Sequence, residues 1–396
     1  MNLHKISRLA KASIVSVAMV LGLASCSLDY VVGYVYMTTS AKNTPGVIDQ
    51  YSIDFQSGAL TAIGTPVQAG NNPVRIISAP NGRFVYVLNQ GDATVQLFAV
   101  QGDGTLASQN KYSTVGNTPT ALAIDPQGKF LYVTCNFQTG TTGNGSVTIF
   151  PVNADNTLGT PSTQPVGNNP VGVVVSYFNH YVYVLDQEAN PKATILGFSQ
   201  NATTGALTAI PGTIITTVAG KTTATGYAAG VTPSAIAEEP TSRFVYVTDE
   251  AANHLIGYTV GSGGALTPMV NGPFSTGLFP INLTIDPTGN LIYVINFNSN
   301  SIQGYAIDTA TGTPSASVGA FATGVGAGPT CVAIDTSLGK NLYTSNSQDN
   351  TISGAKVNPN TGGLEPVQNS PFIGNGAPTC LTTVPNGAHA SQVIVP

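Results

Sequence analysis

GNTPTALAIDPQGKFLYVTCN, residues 116–136, is the stretch that decides the fold. Two short apolar runs, residues 121–124 and 130–134, flank Asp125-Pro126-Gln127-Gly128. Pro presets φ and Gly accepts a positive φ, so the tetrapeptide predicts a tight turn and the whole unit a β-hairpin. The unit recurs. Tyr36, Tyr86, Tyr132, Tyr183, Tyr246, Tyr293 and Tyr343 mark its second strand, at spacings of 50, 46, 51, 63, 47 and 50 residues. Pro73, Pro119, Pro170, Pro233, Pro280, Pro329 and Pro378 open the first strand in the same rhythm. After each tyrosine strand come a polar loop, a third alternating run, a turn often reading Gly-x-Leu, and a less regular fourth run. Four antiparallel strands in roughly 40–50 residues make one propeller blade.

The ends of the chain are complementary. The first tyrosine strand lacks a proline-led partner, and residues 378–383 are left over as one. The C-terminal strand is therefore expected to become the innermost strand of the N-terminal blade, closing the ring and removing its exposed edges. The fold class predicted is all-β, a single seven-bladed propeller over residues 31–396. Residues 391–395 also read as a strand and compete for the same place.

The N-terminus reads as a targeting segment. Lys5, Arg8 and Lys11 precede an apolar stretch, residues 12–23, too short to span a bilayer. It ends in Leu23-Ala24-Ser25-Cys26, which resembles a bacterial lipobox with cleavage before Cys26 and lipid on its thiol. Ser27 in place of Asp resembles the outer-membrane sorting pattern. The expectation is a signal peptide (1–25), a lipidated tether (26–30) and a monomeric domain held at the cell envelope.

Composition narrows the function classes. Without residues 1–25 the chain has 10 Lys+Arg against 18 Asp+Glu, a net charge near −8. That argues against nucleic acid as a partner. Charged residues are 8% of the chain, so Thr, Ser, Asn, Gln and Gly must cover the surface. Such a surface suits a small polar molecule, a carbohydrate or an envelope protein. Cys135, Cys331 and Cys380 remain besides Cys26. Cys331 and Cys380 hold the same place on neighbouring inner strands. A disulfide between them is conceivable, but inner strands of adjacent blades ordinarily lie farther apart than bridge geometry allows, so buried free thiols are the first expectation.

Short uniform turns such as Asn81-Gly82 fall on one face. The loops after the tyrosine strand, and the long excursions at 137–145 and 214–230, fall on the other, which is taken as the working face. Three residues past each tyrosine stand Thr39, Asn89, Cys135, Asp186, Asp249, Asn296 and Asn346. Such residues close Asx turns at strand ends, or ring one mouth of the central channel and bind a polar ligand or a cation. Arg75 could hold a carboxylate or a phosphate by a bidentate contact, or pair with a neighbouring blade's acid. His254 is a loop-end residue or a general base. Asp186 with Glu188, and Asp249 with Glu250, are acidic pairs on nearby loops. No metal set can be assembled from them, and no cofactor is expected.

FVYVLN (84–89), FVYVTD (244–249) and IYVIN (292–296) resemble the tyrosine–valine–threonine–asparagine (YVTN) β-propeller repeat. With the proline-led strand and the Asp-Pro-x-Gly turn, the chain is similar to the seven-bladed lactonase-like propeller superfamily. That group includes 6-phosphogluconolactonase-like hydrolases, a muconate-lactonizing enzyme and many surface repeat proteins. Its hydrolytic members are similar in having Pro-Arg-His at the start of an inner strand. Here the seven triplets lack the histidine, and only Pro73-Val74-Arg75 has an arginine, displaced by one. The reading taken forward is an envelope-anchored binding or scaffold module. The alternative is a lactone hydrolase using Arg75, His254 and the acidic pairs.

Overall fold

In the computed structural model, which describes residues 30–41, 44–138, 144–187, 193–218, 221–316 and 325–387, the repeat folds as seven four-stranded antiparallel blades. Blade 2 shows the plan, with Pro73–Ser78 innermost, then Phe84–Asn89, Thr94–Val100 and Leu106–Ser113 outermost. Blades 3 to 7 open with Gly116–Ile124, Pro170–Val175, Pro233–Glu238, Pro280–Ile285 and Pro329–Ile334. Blade 1 is composite, as the chain ends require. Its inner strand is Ala377–Pro385, paired antiparallel with Val31–Ala41, which pairs in turn with Thr44–Asp54. Successive inner strands touch all the way round, so the ring is closed. Among the described residues the only helical turn is Ser262–Gly264. The leader, Cys26 and residues 391–395 lie outside the described residues.

The marker tyrosines explain why the sequence repeats. All seven rings are buried at 0% exposure. Each hydroxyl crosses to the next blade and donates to a backbone carbonyl in the turn between its third and fourth strands. Six of the acceptors are the glycines Gly58, Gly104, Gly205, Gly264, Gly312 and Gly362, and the seventh is Asn156. All seven acceptor residues have positive φ. At Gly104 an added Cβ would meet the Tyr34 ring at 2.0 Å, so this turn needs glycine for close approach as well as for φ. Thus the tyrosine period and the Gly-x-Leu turn are two halves of one inter-blade contact. Burying a phenol in an apolar seam is favourable only if its hydroxyl finds a partner.

The cysteines correct an expectation. Cys331 and Cys380 form a disulfide, with Cα atoms 4.8 Å apart. The inner strands of blades 7 and 1 converge near the axis more closely than the blade-to-blade spacing farther out suggests, and the matched repeat positions bring the two Cα atoms within bridging range. Cys135 is a buried free thiol, and burial raises its pKa to about 11.

Candidate functional site at the channel mouth

Where each inner strand begins, the ladder slips by one residue. The shift lies between Pro73 and Arg75 in blade 2, and at the same place in blades 4 to 7. Such a bulge re-aims the side chains beside it. The residue after the proline therefore lines the central channel in every blade: Val74, Thr120, Val171, Ser234, Ile281, Thr330 and Thr379. A second tier comes from four residues past the marker tyrosine and includes Ser40, Gln90, Gln187, Glu250 and Ser347. Together they enclose a cavity of about 650 Å³ at the mouth on the proline side.

Much of this lining stitches the blades together. Thr120, Ser234 and Thr330, of blades 3, 5 and 7, donate to the carbonyls of Pro170, Pro280 and Pro378 in the following blade. Blades 2 and 4 have valine there, and Gln90 and Gln187 donate instead, to Pro119 and Pro233. Two charged groups join the ring. Arg75 is half-buried on the cavity lining, and its hydrogen bond among the described residues runs from Nη1 to the Val74 carbonyl at 3.1 Å. Desolvation lowers its pKa, yet a guanidinium stays protonated at any physiological pH. Glu250 lies half-buried on the same lining. Burial, and then the charge of Asp249, raise its pKa above the ordinary 4.5. Arg75 is on blade 2 and Glu250 on blade 5, so the two stand three blades apart on the same lining.

The other candidates go elsewhere. The column three residues past the tyrosine is buried one step behind the mouth and holds the loops. Asn89 accepts from Gly70 N and donates to Thr94. Asp186 accepts from Asn168 N and Asn169 N, and Asp249 from Val231 N, Thr232 N and Ala252 N. Asn296 donates to Ser301, and Asn346 to Thr351 and Ser353. Thr39 and Cys135 are buried likewise. None of these seven lines the cavity. His254 begins a third strand opposite Asp249 and is also absent from the lining. Glu188 lies outside the described residues. Within the 214–230 excursion Ile214–Val218 and Lys221–Thr225 pair as a hairpin, whose Ile215 and Ala224 pack on the seam of blades 3 and 4.

Of the second tier only Glu250 stands out in the sequence, as half of an acidic pair. The same repeat count, read one residue further, gives Ser40, Gln90, Asn136, Gln187, Glu250, Phe297 and Ser347. At the far face Glu238, largely buried, accepts from Ser176 at 2.5 Å and Ser242 at 3.2 Å, and burial lifts its pKa to about 7. Among the described residues no group of three or more His, Cys, Asp or Glu could hold a metal ion, and no helix is long and apolar enough to cross a membrane.

A closed ring of seven four-stranded blades around one axial cavity defines the class of protein. The family model for the seven-bladed β-propeller lactonases matches residues 34–173 and 166–334, and the chain belongs to that family. Among solved structures it is similar to a candidate 6-phosphogluconolactonase from Bacteroides uniformis, at 20% identity and TM-score 0.73, covering 90% of this chain and 100% of that one. A Bacteroides fragilis counterpart matches at 21% identity and TM-score 0.71, over 90% and 99% of the two chains. The periplasmic gluconolactonase PpgL of Pseudomonas aeruginosa matches at 19% and 0.71, over 89% and 99%. At these identities the likeness is one of fold. No curated protein matches the chain.

Proposed function

We propose that the protein hydrolyses a lactone at the channel mouth, on a domain tethered to the cell envelope through Cys26. The observation that carries this is the presence of Arg75 and Glu250 on one cavity. Family membership, and the lactonase names of the similar structures, support the same chemistry. The Glu250 carboxylate takes a proton from water as the oxygen attacks the lactone carbonyl carbon. Arg75 steadies the negative charge that develops on the carbonyl oxygen. The ring C–O bond then breaks, its oxygen takes the proton from Glu250, and the new carboxylic acid gives water's second proton to solvent and leaves as a carboxylate beside Arg75. Burial and the neighbouring Asp249 charge raise the pKa of Glu250, which makes its carboxylate a stronger base.

Titrating released acid from glucono-lactone and alkyl-lactone substrates tests this. Glu250→Gln should lower kcat by about 10²–10⁴ and Arg75→Met by about 10²–10³. A second reading, a binding module without turnover, is favoured by the number of mouth side chains already engaged between blades. Hydrolysis at the buffer rate by the unmodified protein would select it.

A further inference from the structure

Blade 6 breaks the pattern of the mouth. In blades 2 to 5 and 7, one of two positions carries a donor to the next blade's proline carbonyl, and in blade 1 Thr379 and Ser40 donate instead to the Thr38 carbonyl and to Asn72. Blade 6 has Ile281 at the first and Phe297 at the second, and neither side chain can donate. Phe279, just before the opening proline, packs against Phe297 with ring centroids 6.3 Å apart. Its backbone is left-handed, at φ 59°, a conformation shared at the same repeat position by Asn72, Thr118 and Gly328. Asn and Gly adopt it readily, whereas for the β-branched Thr118 and the bulky Phe279 it is an outlier; of these two, Phe279 sets a large apolar side chain there. The ring is nonetheless 36% exposed. One residue earlier, blades 2 to 4 have Asn71, Asn117 and Asn168, while blades 5 and 6 have Val231, 67% exposed, and Leu278, 57% exposed. The large apolar residues at these rim positions are thus confined to blades 5 and 6, the two that stand opposite Arg75 in a ring of seven.

We infer that the substrate carries an apolar alkyl or aryl substituent, which lies on the Phe279–Phe297 wall while its lactone ring occupies the cavity between Arg75 and Glu250. This rests on placing the substrate at that mouth. An exposed apolar patch beside a polar pocket marks a binding surface. Arg75 is the one cationic side chain on the described lining, a poor match for a phosphate dianion, which calls for several donors.

The test measures binding and turnover separately, on the full mature chain. Binding is read by calorimetry with 5-hydroxydecanoate and with gluconate, the ring-opened products of an alkyl lactone and a sugar lactone. Phe297→Gln and Phe279→Asn install residues that other blades carry at the same positions, so both should fold. The unmodified protein should bind hydroxydecanoate at least about tenfold more tightly than gluconate. Each variant should lose about tenfold for hydroxydecanoate, equivalent to roughly two methylene groups withdrawn from apolar contact, with gluconate unchanged. Equal or tighter gluconate binding, no binding of either acid, or variants that leave the ratio intact would overturn the inference. If hydroxydecanoate binds as described but neither lactone is turned over, the hydrolase reading fails and the apolar subsite stands. If only gluconolactone is hydrolysed and the variants are silent, the hydrolase reading stands and the subsite fails.

Discussion

Removing the disulfide between blades 7 and 1 should cost the protein much of its margin of stability. Cys331 and Cys380 are separated by 49 residues, which include the three outer strands of blade 7. In the chain-entropy model a loop of ~50 residues loses about 14 cal/mol/K on closure, so the bond disfavours the unfolded chain by about 4 kcal/mol at 25 °C. Both residues are nearly inaccessible, at 4% and 3% exposure, so the paired Cys331→Ala and Cys380→Ala substitutions also lose the packing of two sulfur atoms. A folded domain is stable by about 5–15 kcal/mol, so the bond is a large share of the total. The strand Ala377–Pro385 would then be held to the ring by pairing with Val31–Ala41 and by packing alone. Urea unfolding of the oxidised protein and of the double alanine variant measures the difference. Cys135→Ala serves as the control for a buried thiol outside the bond and should cost ~1 kcal/mol. A loss below about 1 kcal/mol in the double variant would mean that the two sulfurs are not joined, or that strand pairing alone closes the ring.

The other expectations follow from single groups. Tyr246→Phe removes the hydroxyl that donates to the Gly312 carbonyl and should destabilise by about 1–2 kcal/mol, because a buried acceptor is left without its donor. Calorimetric unfolding reads this, and an unchanged Tm would contradict the inter-blade role. Glu238 has its pKa raised from 4.5 to about 7 in the folded state. The folded form therefore holds a proton that the unfolded form has released between those values, and stability should fall as pH rises across that window, by on the order of 3 kcal/mol at most. Glu239 and Tyr183 lie near enough to interact with the same group. In Glu238→Gln the difference between pH 5 and pH 8 should shrink, and an unchanged pH profile would show the carboxyl ordinary. The Cys135 thiol, with its pKa raised by burial, should resist a thiol reagent until the protein unfolds. Prompt modification of the folded protein would contradict its burial.

The blade number, the strand order and the shared first blade could all be read from the tyrosine and proline periods, because each is a repeated contact. The end of the channel that carries the cavity could be read too, since the proline and the loop after the tyrosine strand mark the same end. Of the lining, Arg75 and Glu250 were among the candidates and the rest was not. Counting three residues past the tyrosine reaches Asp249, which turns back to hold Val231 and Thr232; its neighbour Glu250 faces the axis. Strand alternation reverses the face with one residue, and the slip after Pro73 that brings both Val74 and Arg75 to the cavity leaves no mark in composition. The disulfide was missed for a related reason: convergence of inner strands at the axis is a property of the closed ring. Phe279 and Phe297 stand out only once their repeat positions are known to line a rim.

A crystal structure with 5-hydroxydecanoate or gluconate bound tests the central claim most directly. The account predicts the ligand carboxylate about 2.7–3.2 Å from the Arg75 guanidinium, with its hydroxyl end toward Glu250 at the proline-side mouth. A ligand seated instead in the peripheral groove of Asp92, Gln96 and Lys111, or at the far face beside Glu238, would contradict it.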